Sequence, residues 1–219
     1  MEKINTIYKI LYKEYNARGW WPINGKYEKL YTLNEEDKFE IAIGAILTQN
    51  TSWNNVEKAL ESLRKNNLLN KEKLKKINEK ELALLIKSSG YNNQKAKKIK
   101  EYIKFLDSGN EITRENLLSI WGIGNETADS ILLYAYCQAV FVIDAYTKRI
   151  FSRIGICREN IKYEELQELF HKNLENKHEL FNEYHALIVE HAKRFCKTKP
   201  ECTNCPLNKM CDYYKASKI

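Results

Sequence analysis

The chain has 219 residues, of which 43% are hydrophobic and 30% are charged, proportions that exclude a disordered protein and suffice for a buried core. Its 36 Lys and Arg residues outnumber its 29 Asp and Glu residues, and the net charge of +7 suits a polyanionic partner but is also typical of a Lys-rich surface. Only 8 Gly and 3 Pro residues interrupt the sequence, which favours helices over a sheet-rich fold.

Helical spacing of apolar residues dominates from the beginning of the chain. An amphipathic helix is predicted at residues 4–15, and Asn34 followed by three acidic residues predicts the start of a buried helix through 39–47. Further apolar stripes predict helices at residues 56–63, 96–106, 166–174 and 180–195. The run 140–143 is a candidate for a short strand, but one strand makes no sheet. The predicted fold class is therefore all-α.

No targeting signal is predicted. The first ten residues contain charges and no apolar core, unlike a secretory leader, and the apolar stretch 131–143 falls short of the ~20 residues that span a membrane. A secreted disulfide scaffold would also spread its six cysteines more evenly. We therefore expect a cytoplasmic protein, nucleoid-associated if the cell is prokaryotic, with no membrane partner.

Four cysteines form the strongest motif. Their spacing is C-x5-C-x2-C-x5-C, and the thiols belong to Cys196, Cys202, Cys205 and Cys211. Structural zinc sites usually use two Cys-x2-Cys pairs, whereas this segment has one such pair between longer arms. The spacing favours an iron–sulfur cluster, with a zinc ion or free thiols as the alternatives.

A Gly-x-Gly turn separates two predicted helices within residues 117–128. Gly122 and Gly124 would let the backbone turn tightly, and the N–H groups at the start of the next helix would face an anion. With the flanking Leu-Leu and Thr-Ala pairs, this is a helix-hairpin-helix pattern, which binds DNA phosphates without reading bases. A plain break between helices is the alternative.

About twenty residues further on, the apolar run 140–143 leads into Asp144 at a predicted helix start. An Asp at this position caps the helix and is worth about 1 kcal/mol. Taken alone, the cap is the better interpretation of Asp144.

The hairpin, the Asp and the four-Cys segment, in this order, resemble the endonuclease III branch of the helix-hairpin-helix DNA glycosylases over roughly residues 30–212. The resemblance implies two packed helical domains. Residues 34–139 would form a six-helix barrel with the hairpin at 117–131. Residues 1–33 and 140–219 would form the second domain, with a 4Fe–4S cluster in the 196–211 loop. It also implies that ionised Asp144 stabilises the positive charge that builds on the sugar.

Two further segments match this family and imply DNA contacts. Gln49, in segment 47–51, would enter the base stack, and Tyr91 and Asn92 would form a second wedge. Lys95 belongs to a lysine-rich helix that would contact phosphates, with a solvated helix face as the alternative.

Two departures from the family pattern matter. The first cysteine gap is five residues where the family more often has six, which implies an altered cluster loop. Glu126 stands where bifunctional members carry the Lys that forms a Schiff base with the sugar, and Glu cannot do this. We therefore expect a monofunctional glycosylase. The alternatives are a bifunctional glycosylase/lyase with a displaced Lys and a non-catalytic iron–sulfur DNA-binding protein.

The expected base pocket resembles that of the bacterial 3-methyladenine glycosylases of this superfamily. The matching residues are Trp20, Trp21, Pro22, Trp53 and Glu126. The indole rings would stack on a flipped base, although Trp20 and Trp21 would equally serve as core residues. The implied partner is double-stranded DNA with a methylated adenine or another alkylated or oxidised purine, bound by a monomer. A cationic alkylated base leaves readily, whereas a neutral purine needs a proton, which Glu126 could donate if its pKa were raised.

Overall fold

The computed structural model describes residues 2–26 and 32–217, and the chain divides into two compact units. Unit 1 combines Met1–Trp20 with Ala139–Ile219, and unit 2 is Trp21–Gln138. The predicted all-α fold class is confirmed, because the described residues form helices and no β-strand. In the same ranges, no helix has the length and apolar character needed to cross a membrane.

The helices follow one another with short connections. In chain order they are α1 (Glu2–Tyr15), α2 (Glu35–Leu47), α3 (Trp53–Lys65), α4 (Lys71–Lys76), α5 (Glu79–Leu85), α6 (Asn92–Asp107), α7 (Arg114–Leu118), α8 (Asn125–Ser130), α9 (Ala145–Arg153), α10 (Tyr163–Asn173), α11 (His178–Arg194) and α12 (Asp212–Ala216). A 3₁₀ turn at Lys87–Ser89 precedes α6, a π-helical turn at Ile131–Ala135 extends α8, and a second 3₁₀ turn at Asn208–Met210 precedes α12.

Helix α2 forms the core of unit 2. Asn34 and Asp37 close a capping box at its start, in which each side chain accepts a hydrogen bond from the other residue's backbone N–H. Every residue from Phe39 to Leu47 is buried, as the apolar run predicts. The helix packs against α3, α6, α8 and the π-helical turn, so it sets the positions of the helices that carry the candidate site.

Unit 2 begins at Trp21, whereas the sequence-based boundary was placed at residue 34. The reason is a set of contacts that tie the segment after Trp21 to α2 and α3. The Trp21 ring packs edge-on against Trp53 with centroids 5.2 Å apart, and a Cβ added to Gly44 would lie 2.8 Å from it. The Asn24 backbone N–H also donates to the buried Glu40 carboxylate over 3.1 Å.

Unit 1 packs α1 against α10 and α11, and α11 against α9. Its centre is aromatic: the rings of Phe141 and Phe170 stack with centroids 3.8 Å apart, and Phe151 and Tyr184 pack beside Phe170. The Tyr184 hydroxyl is buried and donates to the Ile4 carbonyl over 2.8 Å. This core fixes the segment that leads into α9.

The candidate strand at residues 140–143 is not a strand. Its backbone bonds to side chains of α10 instead of a neighbouring strand. The Phe141 N–H donates to His171 Nε2 (3.2 Å), Gln167 Nε2 donates to the Phe141 carbonyl (2.8 Å), and the Ile143 N–H donates to the Tyr163 hydroxyl (3.3 Å). Side chains of α10 therefore satisfy the backbone hydrogen-bonding groups of this segment.

Candidate functional site

The predicted helix-hairpin-helix is present in unit 2 as α7, a turn at residues 119–124, and α8. Gly122 has a φ of +82°, a left-handed conformation that favours Gly, and a Cβ there would lie 2.6 Å from the Lys98 side chain. Gly124 has an extended backbone and begins α8 without a side-chain cap. Arg114 and the fully buried Asp129 join the two helices through an ion pair of 2.7 Å.

Gln49, the residue expected to enter the base stack, lies against this hairpin. Its Nε2 donates to the Gly122 carbonyl over 3.2 Å and to the Thr127 hydroxyl over 2.9 Å. Its Oε1 accepts a hydrogen bond from Lys98 Nζ. In this structure the Gln49 side chain is thus held by the same turn that is expected to bind phosphates.

The predicted second wedge is an exposed, unusually shaped turn. The Tyr91 side chain is 65% exposed, and its backbone has φ 43° and ψ 35°, a left-handed conformation that is uncommon for a bulky residue. Asn92 begins α6 and donates from Nδ2 to the Ala83 carbonyl over 3.0 Å. An aromatic ring held outside the fold by a strained backbone is suited to contact a ligand.

Lys95 is not on the surface, and the prediction that it contacts DNA phosphates is wrong. The residue is 1% exposed, and its Nζ donates to the Leu47 carbonyl (2.8 Å) and the Ser89 carbonyl (2.6 Å). Burial, with the nearby charge of Lys98, lowers the pKa of Lys95 to about 8. Lys95 therefore stabilises the backbone just before Gln49 and just before Tyr91.

Lys97 occupies the surface position that Lys95 was expected to have. Its Nζ lies 4.2 Å from the ring centroid of Trp121, which is half exposed in the hairpin turn. Trp121 was not among the predicted DNA contacts, although an aromatic residue beside Gly-x-Gly is a usable signal for one. The pair places a cation and an aromatic face at the hairpin.

The predicted base-pocket residues differ in their placement: Trp21 lies in the core, Pro22 and Trp53 line a cavity of unit 2, and Trp20 lies in unit 1. Trp21 is 7% exposed and contacts both Trp53 and Tyr134, which supports the core alternative for this residue. Pro22 and the half-buried Trp53 line one cavity of about 220 Å³ together with Glu40, Glu57 and Arg64. Trp20 is half-buried in unit 1. Trp20 and Trp53 are thus the two half-buried tryptophans of the predicted base pocket.

Glu126 lies in the first turn of α8 and is exposed. Its carbonyl accepts a hydrogen bond from the Ser130 hydroxyl over 2.7 Å. In the DNA-free protein the Glu126 side chain therefore does not lie in a buried pocket.

Asp144 begins α9 in unit 1, and its carboxylate is held on both oxygens. Oδ1 accepts from the Thr147 N–H (2.7 Å) and the Thr147 hydroxyl (2.8 Å). Oδ2 lies 3.6 Å from Nε2 of the buried His185. Burial alone would raise the pKa of Asp144, but the contact with His185 and the Thr147 bonds outweigh it and lower the pKa. The structure therefore presents a carboxylate that stays ionised despite being only 13% exposed.

The four predicted metal-binding cysteines line a single cavity in unit 1, with walls that include Ile150, Ile154 and Leu207. None of them forms a disulfide. Arg153 donates from Nη1 to Cys196 Sγ over 3.4 Å, and the ring Nε2 of His191 lies 3.6 Å from Cys205 Sγ. Burial and the other three cysteines raise the pKa of Cys205 to about 11, so a bound cation would be needed to make it a thiolate. Across residues 2–26 and 32–217, no three His, Cys, Asp or Glu side chains are arranged to hold a single metal ion.

Known proteins are similar to most of this chain. The model of a family described as "HhH-GPD superfamily base excision DNA repair protein" matches residues 43–176, which include Gln49, Tyr91, the hairpin and Asp144. A putative DNA repair glycosylase of Methanocaldococcus jannaschii is 46% identical over 96% of this chain and 96% of its own.

Two solved structures illustrate the structural likeness. The 3-methyladenine DNA glycosylase of H. pylori bound to 1,N6-ethenoadenine has a TM-score of 0.71 and 33% identity, covering 88% of this chain and 96% of its own. An endonuclease III–DNA covalent intermediate has a TM-score of 0.83 over 100% of this chain and 98% of its own, but at 21% identity it shows the fold alone.

Proposed function

The chain belongs to the HhH-GPD superfamily of base excision DNA repair proteins and is a DNA glycosylase, and we propose that it is a monofunctional one that releases a modified purine from double-stranded DNA. The observation that carries this proposal is the carboxylate of Asp144. It is only slightly exposed, held by Thr147 and His185, and kept ionised.

The proposed reaction breaks the bond between C1′ of the sugar and the ring nitrogen of the base. The base leaves with the bonding electrons, and positive charge builds on the sugar, where the Asp144 carboxylate stabilises it. Water then attacks C1′, and its proton passes to the carboxylate and on to solvent. The products are the free base and an intact strand with an abasic site.

Glu126 supports two finer parts of this proposal. A Glu cannot form a Schiff base with the sugar, so strand cleavage by that route is absent. Its exposed carboxyl also favours a leaving group that needs no proton. A purine alkylated on a ring nitrogen carries its own positive charge, and the H. pylori relative is a 3-methyladenine glycosylase. We therefore propose alkylated purines as the preferred substrates.

Unit 2 would supply most of the DNA contacts. The hairpin N–H groups and Lys97 would hold phosphates, and Tyr91 and Gln49 would fill the gap that the flipped base leaves. Gln49 would first have to leave Gly122 and Thr127. We propose that the protein does this as a monomer.

We also propose that Cys196, Cys202, Cys205 and Cys211 hold a 4Fe–4S cluster, because all four line one cavity. When bound, the cluster would tie the last loop of unit 1 together. Anaerobically purified protein should absorb broadly near ~400 nm and contain about four irons per chain. One zinc and no iron would refute the cluster.

A bifunctional enzyme with a displaced Lys is the second candidate, and one observation favours it. Burial lowers the pKa of Lys98, and its Nζ lies beside Gln49 at the hairpin. An amine of this kind is a better nucleophile than an ordinary Lys.

A panel of duplexes tests the proposed function. Each duplex carries one modified purine: 3-methyladenine, 1,N6-ethenoadenine, 6-methyladenine or 8-oxoguanine. Chromatography should detect release of 3-methyladenine, the cationic base of the panel, at a higher rate than release of the three neutral purines. If none of these duplexes released a base, the proposed release of modified purines would be refuted and the non-catalytic alternative would be favoured.

A further inference from the structure

His185 lies next to the Asp144 carboxylate, the candidate catalytic group, and the sequence did not predict this contact. It lies on α11, is 7% exposed, and its Nε2 is 3.6 Å from Asp144 Oδ2. The edge of its ring packs against Phe141, with centroids 6.4 Å apart and planes at 81°. The contact lies wholly within unit 1.

Capping of α9 does not account for this contact. Thr147 already gives Asp144 Oδ1 two hydrogen bonds, one from its N–H and one from its hydroxyl, which is the complete arrangement of an Asp cap. His185 approaches the other oxygen, Oδ2. A Leu or Phe would fill this place in an apolar core, and a buried imidazole costs desolvation unless its partner compensates.

Other polar groups around this segment bind backbone atoms and leave the carboxylate to Thr147 and His185. From α10, the Tyr163 hydroxyl accepts from the Ile143 N–H and His171 accepts from the Phe141 N–H. Burial, His185 and Thr147 determine the pKa of Asp144, and together they lower it. His185 is thus the charged neighbour of Asp144 when its ring is protonated.

We propose that His185 is a positioning residue for base release: it fixes Asp144 through Oδ2 and supplies a positive charge beside the carboxylate. This inference rests on the proposed function of Asp144. Thr147 alone would leave the carboxylate free to gain a proton in its buried setting, and a neutral carboxyl cannot stabilise a cationic sugar. His185 does not touch the reacting atoms and acts through Asp144.

Single-turnover base release measured from pH 4.5 to 8.5 tests the inference with His185→Gln, which keeps a polar side chain and removes the charge. Loss of an opposite charge raises a carboxyl pKa by about 1–3 units, so the acidic limb of the rate profile should move up by that amount. The rate of His185→Gln should fall progressively below that of wild type as the pH drops toward 4.5 and should approach it near pH 8. A purely structural defect would lower the rate at every pH.

His178→Gln is the matched control, because His178 lies at the start of the same helix and pairs with Glu179. Its profile should equal that of the wild type. A His185→Gln profile with the wild-type acidic limb would overturn the inference.

A second measurement does not depend on activity. Carbon-13 NMR of the labelled Asp144 carboxyl in DNA-free protein should show a higher apparent pKa in His185→Gln than in wild type. Equal values would overturn the inference, even if the panel of duplexes gave no product. A raised value without base release would uphold the contact and refute the proposed function.

Discussion

Two helices in this protein begin with nearly the same backbone and opposite chemistry. Gly124, before α8 in unit 2, has φ −104° and ψ 179°, and Asp144, before α9 in unit 1, has φ −101° and ψ 179°. Gly124 brings no side chain to the helix start, whereas Asp144 fills it with a carboxylate held by Thr147. The start of α8 therefore leaves its N–H groups available to an external anion such as a phosphate, whereas at the start of α9 the Asp144 carboxylate occupies that position.

Because of this difference, we assign DNA binding to the hairpin region of unit 2 and bond breaking to the Asp144 region of unit 1. The hairpin region carries the exposed Lys97 and Trp121 and the half-buried Gln49, and these residues would govern DNA affinity. The Asp144 carboxylate is held in place by Thr147 and His185, and it would govern the bond-breaking step. Affinity should respond to changes in unit 2, and the rate of chemistry to changes around Asp144.

The largest expected effect comes from Asp144→Asn. Asn caps helices as well as Asp does, so the fold and DNA binding should be unchanged, while the charge that stabilises the sugar is lost. Single-turnover base release should fall on the order of 10²–10⁴-fold. Glu168→Gln, which removes an exposed acid of α10 in the same unit, should have no effect. Equal rates for Asp144→Asn and wild type would remove Asp144 from the mechanism.

Lys95→Met should show that not every lysine of α6 serves DNA binding. The change leaves the carbonyls of Leu47 and Ser89 without a donor, which costs roughly 1–3 kcal/mol for each buried group. Chemical denaturation should report this loss of unfolding free energy. Lys97→Met should instead leave stability within about 0.5 kcal/mol and weaken binding to undamaged duplex. If Lys95→Met had the same free energy of unfolding as wild type, the hydrogen bonds of Lys95 to Leu47 and Ser89 would not stabilise the protein.

Gly124→Asp makes the start of α8 a copy of the start of α9 and so tests the comparison itself. The new cap should stabilise the helix by only roughly a few tenths of a kcal/mol, and its charge should weaken binding to any duplex by roughly tenfold. No atom lies within 4 Å of a Cβ built at Gly124, so Gly124→Ala is a matched control that should bind normally. Tighter DNA binding by Gly124→Asp would refute the hairpin as a phosphate site.

Gly122→Ala should behave differently from Gly124→Ala. A φ of +82° and the close Lys98 side chain make any Cβ at Gly122 costly, by about 1–3 kcal/mol. The thermal unfolding midpoint should drop further for this variant than for Gly124→Ala, which loses only a modest N-cap preference. Equal midpoints would mean that the hairpin turn adapts freely.

Local sequence signals predicted the parts of the fold that depend on neighbouring residues. The capping box at Asn34 and the buried run through Leu47 are set by residues three or four positions apart, and both are present. The run 140–143 was misjudged as a candidate strand, because its partners are side chains of α10 that lie far along the chain.

The parts of the candidate site that sequence reasoning missed depend on tertiary contacts. Lys95 lies in a run of lysines that indicates a solvated face, and the carbonyls that bury it come from two other segments. His185 is separated from Asp144 by 41 positions, as its contact joins α9 and α11. A titratable residue beside Tyr184, on an otherwise apolar stripe, was the one available signal for it.

The most direct test of the central claim compares base release with strand cleavage in parallel reactions. Wild-type protein is incubated with a duplex that carries one alkylated purine; one set of samples, without borohydride, is analysed with and without alkali, and a second set is incubated with borohydride to trap any Schiff base. We predict free base, a strand that breaks after alkali alone, and no covalent protein–DNA adduct. A strand cut before alkali, with a borohydride-trapped adduct that disappears in Lys98→Arg, would contradict the monofunctional mechanism and assign the chemistry to Lys98.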